Sequence, residues 1–143
     1  TMDLKSMLLP EKAVEFDFPG CPGLKFTIAF LSKESNQKLL KKCQKTKYDS
    51  RTRAPIEELD DDLFYDQYTA AIIKGWTGFK FKYMDEFVLG NFSEFNPEDE
   101  MEYSHENAVV LMKESTDLDT WVNGVLQDLT NFTKISSKSS SKE

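Results

Sequence analysis

The stretch from Asp60 to Phe79 reads DDDLFYDQYTAAIIKGWTGF, and the rest of the chain is organised around it. Its leading aspartates predict a helix start, because a capping carboxylate and negative charge both stabilise a first turn. One helical face then collects the apolar residues and a glycine: Phe64, Tyr68, Ala71, Ile72 and Gly75. Ile73 and Trp76 widen this face, so we expect a central helix rather than a peripheral one.

The end of this helix is predicted at Gly75. Lys74 would lie in the last turn, Gly75 would be the left-handed residue that follows it, and Trp76 would pack back near Ala71. We interpret the Gly-Trp pair as a helix stop with a core tryptophan.

Length and charge narrow the class of protein. The chain of 143 residues suits one domain over residues 1–133, with a flexible Ser/Lys tail over residues 134–143. A net charge of −7, from 18 basic and 25 acidic residues, argues against a nucleic-acid binder. Without an apolar run that could span a bilayer or a signal-peptide pattern, we expect a soluble, intracellular protein that starts at Met2.

The first third of the chain predicts a β-hairpin followed by a helix. Val14, Phe16 and Phe18 alternate with acids, and a second alternating run extends over residues 24–30 beyond the turn sequence Pro-Gly-Cys-Pro-Gly. Ser32 or Ser35 can cap the helix. Without a CxxC motif, the cysteines of this region, Cys21 and Cys43, are expected to be ordinary thiols.

A basic segment, Lys33–Arg53, runs into an acidic one, Glu57–Asp66. The basic segment holds eight Lys or Arg against two acids. It is either a surface for an acidic partner or a solvated helix face whose charges meet the acids across the fold. Residues Thr46–Pro55 are expected to form a loop.

A strand is predicted after Trp76, where Phe79, Phe81 and Tyr83 alternate with lysines. The following segment, Asp85–Tyr103, is expected to be a long loop or an irregular hairpin. Its apolar residues form either a satellite core or a contact surface for a partner. The residues of that partner-binding hypothesis are Phe87, Leu89, Phe92 and Phe95.

Two helices should close the fold. Ser104 is a plausible cap with Glu106 in the first turn, and the second helix can start anywhere from Ser115 to Asp117. An amphipathic stripe is then expected at Leu118, Trp121, Val122, Val125, Leu126, Leu129 and Phe132. The order of elements predicts an α+β fold, with an N-terminal β-hairpin or small antiparallel sheet packed with about four α-helices.

The sequence carries no motif for catalysis, a cofactor or a metal. His105 is the only histidine, expected to be an exposed first-turn residue, and cannot form the usual zinc pair alone. Nucleophile-elbow, dinucleotide, P-loop and EF-hand patterns are lacking as well. We therefore expect a protein that is not an enzyme, with no catalytic residue, cofactor or metal.

Two stretches together resemble the tail assembly chaperones of long-tailed, siphovirus-type bacteriophages. They are IIKGWTGF at Ile72–Phe79 and YSHENA at Tyr103–Ala108, followed by two small helices. The resemblance covers residues 63–132 and departs from the family in the aromatic-rich link Lys80–Met101. It implies that Gly75, Trp76, Gly78, Ser104, Glu106 and Asn107 are fold markers rather than a catalytic site.

The resemblance also implies a function in viral morphogenesis. Such chaperones bind the tape measure protein, keep it soluble and help to recruit tail tube subunits in the host cell cytoplasm. We expect such a protein to be absent from the mature virion, with self-association left open and no nucleic-acid or membrane partner. The alternative is a non-enzymatic adaptor or antitoxin-like binding protein.

Overall fold

The computed structural model describes residues 3–133, so the tail predicted over residues 134–143 lies outside the described residues. The helices and strands follow one another in this order: α1 Leu4–Met7, β1 Glu11–Asp17, β2 Lys25–Leu31, α2 Lys33–Lys42, β3 Gln44–Tyr48, β4 Pro55–Leu59, α3 Asp61–Ile72, β5 Ile73–Thr77, a 3₁₀ helix Phe81–Glu86, α4 His105–Glu114, α5 Thr116–Leu126 and α6 Thr130–Thr133.

A three-stranded antiparallel sheet in the order β1-β2-β5 forms the centre of the fold. The predicted hairpin is confirmed, with Phe16 opposite Phe26. Strand β2 carries buried side chains on both faces, among them Phe26, Ile28 and Ala29, because helices and loops cover the sheet on either side. This sheet and the four longer helices α2, α3, α4 and α5 confirm the α+β class.

The predicted end of the central helix lies three residues too late in the chain. The cap at Asp60 is confirmed by a 3.2 Å hydrogen bond from the Leu63 amide, but α3 stops at Ile72 and the backbone of Ile73 is already extended. Gly75 therefore lies in β5, opposite Thr27, and is not left-handed. The free edge of β2 accounts for the difference, since pairing with it satisfies the backbone of residues 73–77.

Trp76 is a core residue, as predicted, but its neighbours differ from those expected. It faces Phe26 across the sheet rather than Ala71 on α3. Its ring contacts those of Phe26, Phe79 and Tyr103 at centroid distances of 5.0–5.9 Å.

The loop predicted at Thr46–Pro55 is confirmed for residues 49–54, but its two ends belong to the strands of a second hairpin. Strands β3 and β4 pair antiparallel, and only the turn between them is irregular. Lys47 meets Glu58 at 3.2 Å across this hairpin, so the basic and acidic segments satisfy each other in part. The sequence did not indicate the two strands, because most of their residues are exposed and they carry no apolar alternation.

In the described part of the chain, residues 79–83 do not form the predicted strand. One isolated bridge joins Lys80 to Glu100, and the chain then turns into the 3₁₀ helix. The last predicted helix is shorter than its apolar stripe, because α5 ends at Leu126. Phe132 is nevertheless buried, 5.4 Å from the ring of Phe16, while Leu129 is exposed.

Serine caps fix the starts of the other long helices. Ser32, Ser104 and Ser115 each accept a hydrogen bond from the amide three residues ahead, at 3.1–3.2 Å. One core then joins the sheet to α3, α4 and α5. Cys21 and Cys43 are both buried thiols.

Candidate functional site: an apolar groove beside the aromatic loop

The loop between the 3₁₀ helix and α4 has an ordered stem. The amide of Phe81 donates to the carbonyl of Asp99 at 2.9 Å, and the amide of Met101 donates to the carbonyl of Phe79 at 2.8 Å. Residues 79–82 and 97–101 thus hold each other in place. We call residues 87–96, which lie between the two arms, the aromatic loop.

Two ion pairs that share Glu98 join the arms of this stem. Lys80 and Lys82 each place their Nζ atom 2.9 Å from a different carboxylate oxygen of Glu98. The hydrogen bonds from these two lysines lower the pKa of Glu98 to about 2. The carboxylate is therefore charged, and tied to both lysines, at any pH near neutrality.

Trp76 and Gly78, two of the residues predicted as fold markers, contact the base of this stem. Trp76 Nε1 donates to the Met101 carbonyl at 2.9 Å. Gly78 has a φ of 72°, and a Cβ there would collide with the backbone carbonyl of Gly23. Ser104 caps α4 by accepting from the Asn107 amide, and Glu106 lies in the exposed first turn of α4.

The four residues of the partner-binding hypothesis do not lie on one surface. Phe87 belongs to the core, 5.1 Å from Phe79. Phe95 is half exposed and stacks on Phe81 at 4.3 Å. Leu89 is fully exposed and Phe92 is partly buried.

Two of these residues, Leu89 and Phe92, line a groove on the surface. The groove has a volume of about 690 Å³ and lies between the aromatic loop and α4. Its walls, which define what we call the apolar groove, are Met84, Val88, Leu89, Gly90, Phe92, Met101, Asn107, Val110, Leu111 and Glu114. Phe87 and Phe95 are not among them.

Val110 is an exposed wall residue that the sequence analysis did not identify. It is 55% exposed and belongs to neither the polar surface nor the buried side of α4, which consists of Ala108, Leu111 and Met112. A valine outside the buried face of an amphipathic helix is the signal that would have identified it.

Helix α4 is held in position by two polar contacts with α3. His105 Nε2 lies 2.8 Å from Asp66 Oδ1, and Lys113 Nζ lies 2.9 Å from Asp62 Oδ1. The hydrogen bond from each partner lowers the pKa of the aspartate that it contacts. The prediction of an exposed His105 is therefore wrong, because the imidazole is partly buried as a link between α3 and α4.

The chemistry of the groove suits apolar side chains. Its walls are mainly aliphatic, aromatic or thioether groups, with Asn107 and Glu114 as the polar members. A groove of this size and character fits the apolar face of a short helix. Among residues 3–133, no cluster of His, Cys, Asp or Glu is arranged to hold a metal ion. Within that range, no helix has the length and apolar character needed to cross a bilayer.

Fold and groove together define a small α+β domain with an apolar surface groove. A profile of the family described as "YdaY prophage protein" matches residues 31–142, more than three quarters of the chain. The chain belongs to this family and is a phage-derived protein. Neither the search of curated proteins nor that of solved structures found a match.

Proposed function

We propose that this phage-derived protein is a tail assembly chaperone, which binds the tape measure protein through the apolar groove and helps to recruit tail tube subunits. The observation that carries the proposal is the groove, an exposed apolar concavity on an otherwise acidic protein. The resemblance of Ile72–Phe79 and Tyr103–Ala108 to tail assembly chaperones supports the same function, and the prophage family supports a phage origin.

The physical logic is that of a holdase. Long apolar helices aggregate in water, and a groove that covers part of an apolar helix face removes that surface from solvent. The net charge of −7 would keep the complex soluble by repulsion between copies. On this proposal the protein is not an enzyme, needs no cofactor, acts in the host cytoplasm and is absent from the mature virion.

Co-expression with the tape measure protein of the same phage tests the proposal. The wild type should raise the soluble fraction of that protein, and the two should purify together. Val110→Lys should lower both readouts, because it places a charge on the apolar wall of the groove without removing a core contact. Leu129→Lys is the matched control, since Leu129 is similarly exposed and lies outside the groove.

The aromatic loop provides a second comparison within the same assay. Phe92→Ser should weaken binding, because Phe92 lines the groove. Phe95→Ser should have a smaller effect, because Phe95 stacks on Phe81 away from it. A wild type that neither binds nor solubilises the tape measure protein contradicts the proposal. Binding of another protein through the groove would then favour the adaptor or antitoxin-like alternative.

A further inference from the structure

The segment Leu4–Leu9 holds four exposed large apolar residues within six positions. Leu4, Met7, Leu8 and Leu9 are each 57–67% exposed. Leu4, Met7 and Leu8 follow the i, i+3, i+4 spacing that places side chains on one face of a helix, and α1 spans two of them. This is the pattern with which amphipathic helices anchor in apolar grooves.

The region around Leu4–Leu9 is rich in lysine, whereas the segment that contains the apolar groove is rich in acids. Leu8 and Leu9 line a cavity of about 510 Å³ whose charged members are three lysines and one acid, namely Lys5, Lys33, Lys38 and Glu34. Helix α2, which forms the other wall, carries four lysines and one acid. The apolar groove, in contrast, lies in the acidic region of residues 84–119 and has Glu114 in its wall.

We propose that Leu4–Leu9 of one copy of this chain docks in the apolar groove of a second copy. Apolar anchors on a basic surface would meet an apolar groove in an acidic surface, so both the packing and the charges are complementary. The inference rests on the groove as a docking site, which it shares with the proposed function, but it names a different occupant.

The contact joins two different surfaces, so it is head-to-tail rather than two-fold symmetric. Each copy that docks leaves its own groove free, and association can therefore continue beyond a dimer. The interface is small, which makes the association weak and allows a tape measure protein with longer apolar helices to displace it. The segment then covers the groove until a client arrives.

Sedimentation velocity on the full chain tests the inference. Protein concentrations of roughly 10 μM to 1 mM cover the range in which small interfaces associate. The triple variant Leu4→Ser, Met7→Ser, Leu8→Ser should weaken self-association at least about tenfold, the equivalent of 1.4 kcal/mol. The matched control is Ile56→Ser, Leu63→Ser, Leu129→Ser, which removes three exposed apolar residues elsewhere and should self-associate like the wild type.

Mixing two defective variants identifies the geometry of the contact. Val110→Lys should fail to self-associate, as should the triple serine variant. An equal mixture should form heterodimers and nothing larger, because only one segment and one groove remain intact. If Val110→Lys alone associates like the wild type, the segments pair with each other and the proposal is overturned.

Charge reversal gives an independent readout. Lys5→Glu should weaken association, and adding Glu114→Lys to the same chain should restore it. Higher salt should weaken the wild-type contact. A chain that is monomeric at every concentration contradicts the proposal, and so does one whose segment instead binds vesicles of phosphatidylglycerol.

The outcomes for the two proposals are separable. Loss of self-association in Val110→Lys with no tape measure binding by the wild type would support docking between copies and refute the chaperone function. A wild type that solubilises the tape measure protein but stays monomeric would refute docking between copies alone.

Discussion

Gly78 is the residue whose replacement should be most informative about the fold. Its φ of 72° lies in the left-handed region, where an alanine costs about 1–2 kcal/mol. A Cβ at this position would also lie 2.8 Å from the carbonyl carbon of Gly23 and closer still to its oxygen. The obstacle is backbone, which cannot rotate away as a side chain can, and such overpacking costs about 1–3 kcal/mol.

Gly78→Ala should therefore lower the free energy of unfolding by about 2–5 kcal/mol, a large part of the total for a domain of this size. Urea denaturation followed by tryptophan fluorescence measures the loss, because Trp76 is buried beside this glycine. Gly75→Ala is the matched control. Gly75 lies in β5 with a negative φ and no atom within 4 Å of an added Cβ.

The control variant should change stability by less than about 1 kcal/mol. The comparison separates two accounts of the Gly-Trp-Thr-Gly motif. If Gly75 were the left-handed helix stop that the sequence predicted, its replacement would be the damaging one. A small loss for Gly78→Ala, or a larger loss for Gly75→Ala, would refute the reasoning.

Three further predictions concern the core and the stem of the aromatic loop. Trp76→Ala should cost about 3–5 kcal/mol in urea denaturation, because it removes a buried ring and its hydrogen bond to Met101; an unchanged midpoint would contradict this. Thr69→Val should raise the free energy of unfolding by about 1–3 kcal/mol, because the buried Thr69 hydroxyl has no hydrogen-bond partner in residues 3–133. Thr69→Ala should not raise it, because the smaller side chain leaves a cavity. The pKa of Glu98, lowered from 4.5 to about 2, gives a stabilising contribution that is complete above about pH 5 and lost as the pH falls towards 2. The melting temperature of Glu98→Gln should accordingly fall less steeply over that range than that of the wild type, and equal slopes would count against the ion pairs with Lys80 and Lys82.

Local signals in the sequence were sufficient to predict the helix starts and the first hairpin. Ser32, Asp60, Ser104 and Ser115 cap their own helices, so the decisive interaction spans three residues. The turn at residues 19–23 likewise joins neighbouring strands. In each case the information lies within the segment that folds.

The end of α3 and the groove depend on residues far apart in the sequence. Whether residues 73–77 continue the helix or pair with β2 is decided by Phe26 and Thr27, almost fifty positions earlier. The groove likewise needs α4 beside the aromatic loop, and contacts such as that between His105 and Asp66 hold α4 on α3. Helical periodicity within one segment contains no information about such neighbours.

The stem of the aromatic loop also has a consequence for how freely the loop can vary. Because the bridge between Lys80 and Glu100 fixes the two ends, the entropy of closing the loop depends only on the residues between them. Doubling the length of a flexible loop costs only about 0.6 kcal/mol. Val88 and Phe92 pack against the core, whereas residues 89–91 between them are exposed, so insertions at 89–91 should leave the sheet and helices folded. If the proposed function holds, a longer segment there would change the shape of the apolar groove and with it the partner that the groove can bind.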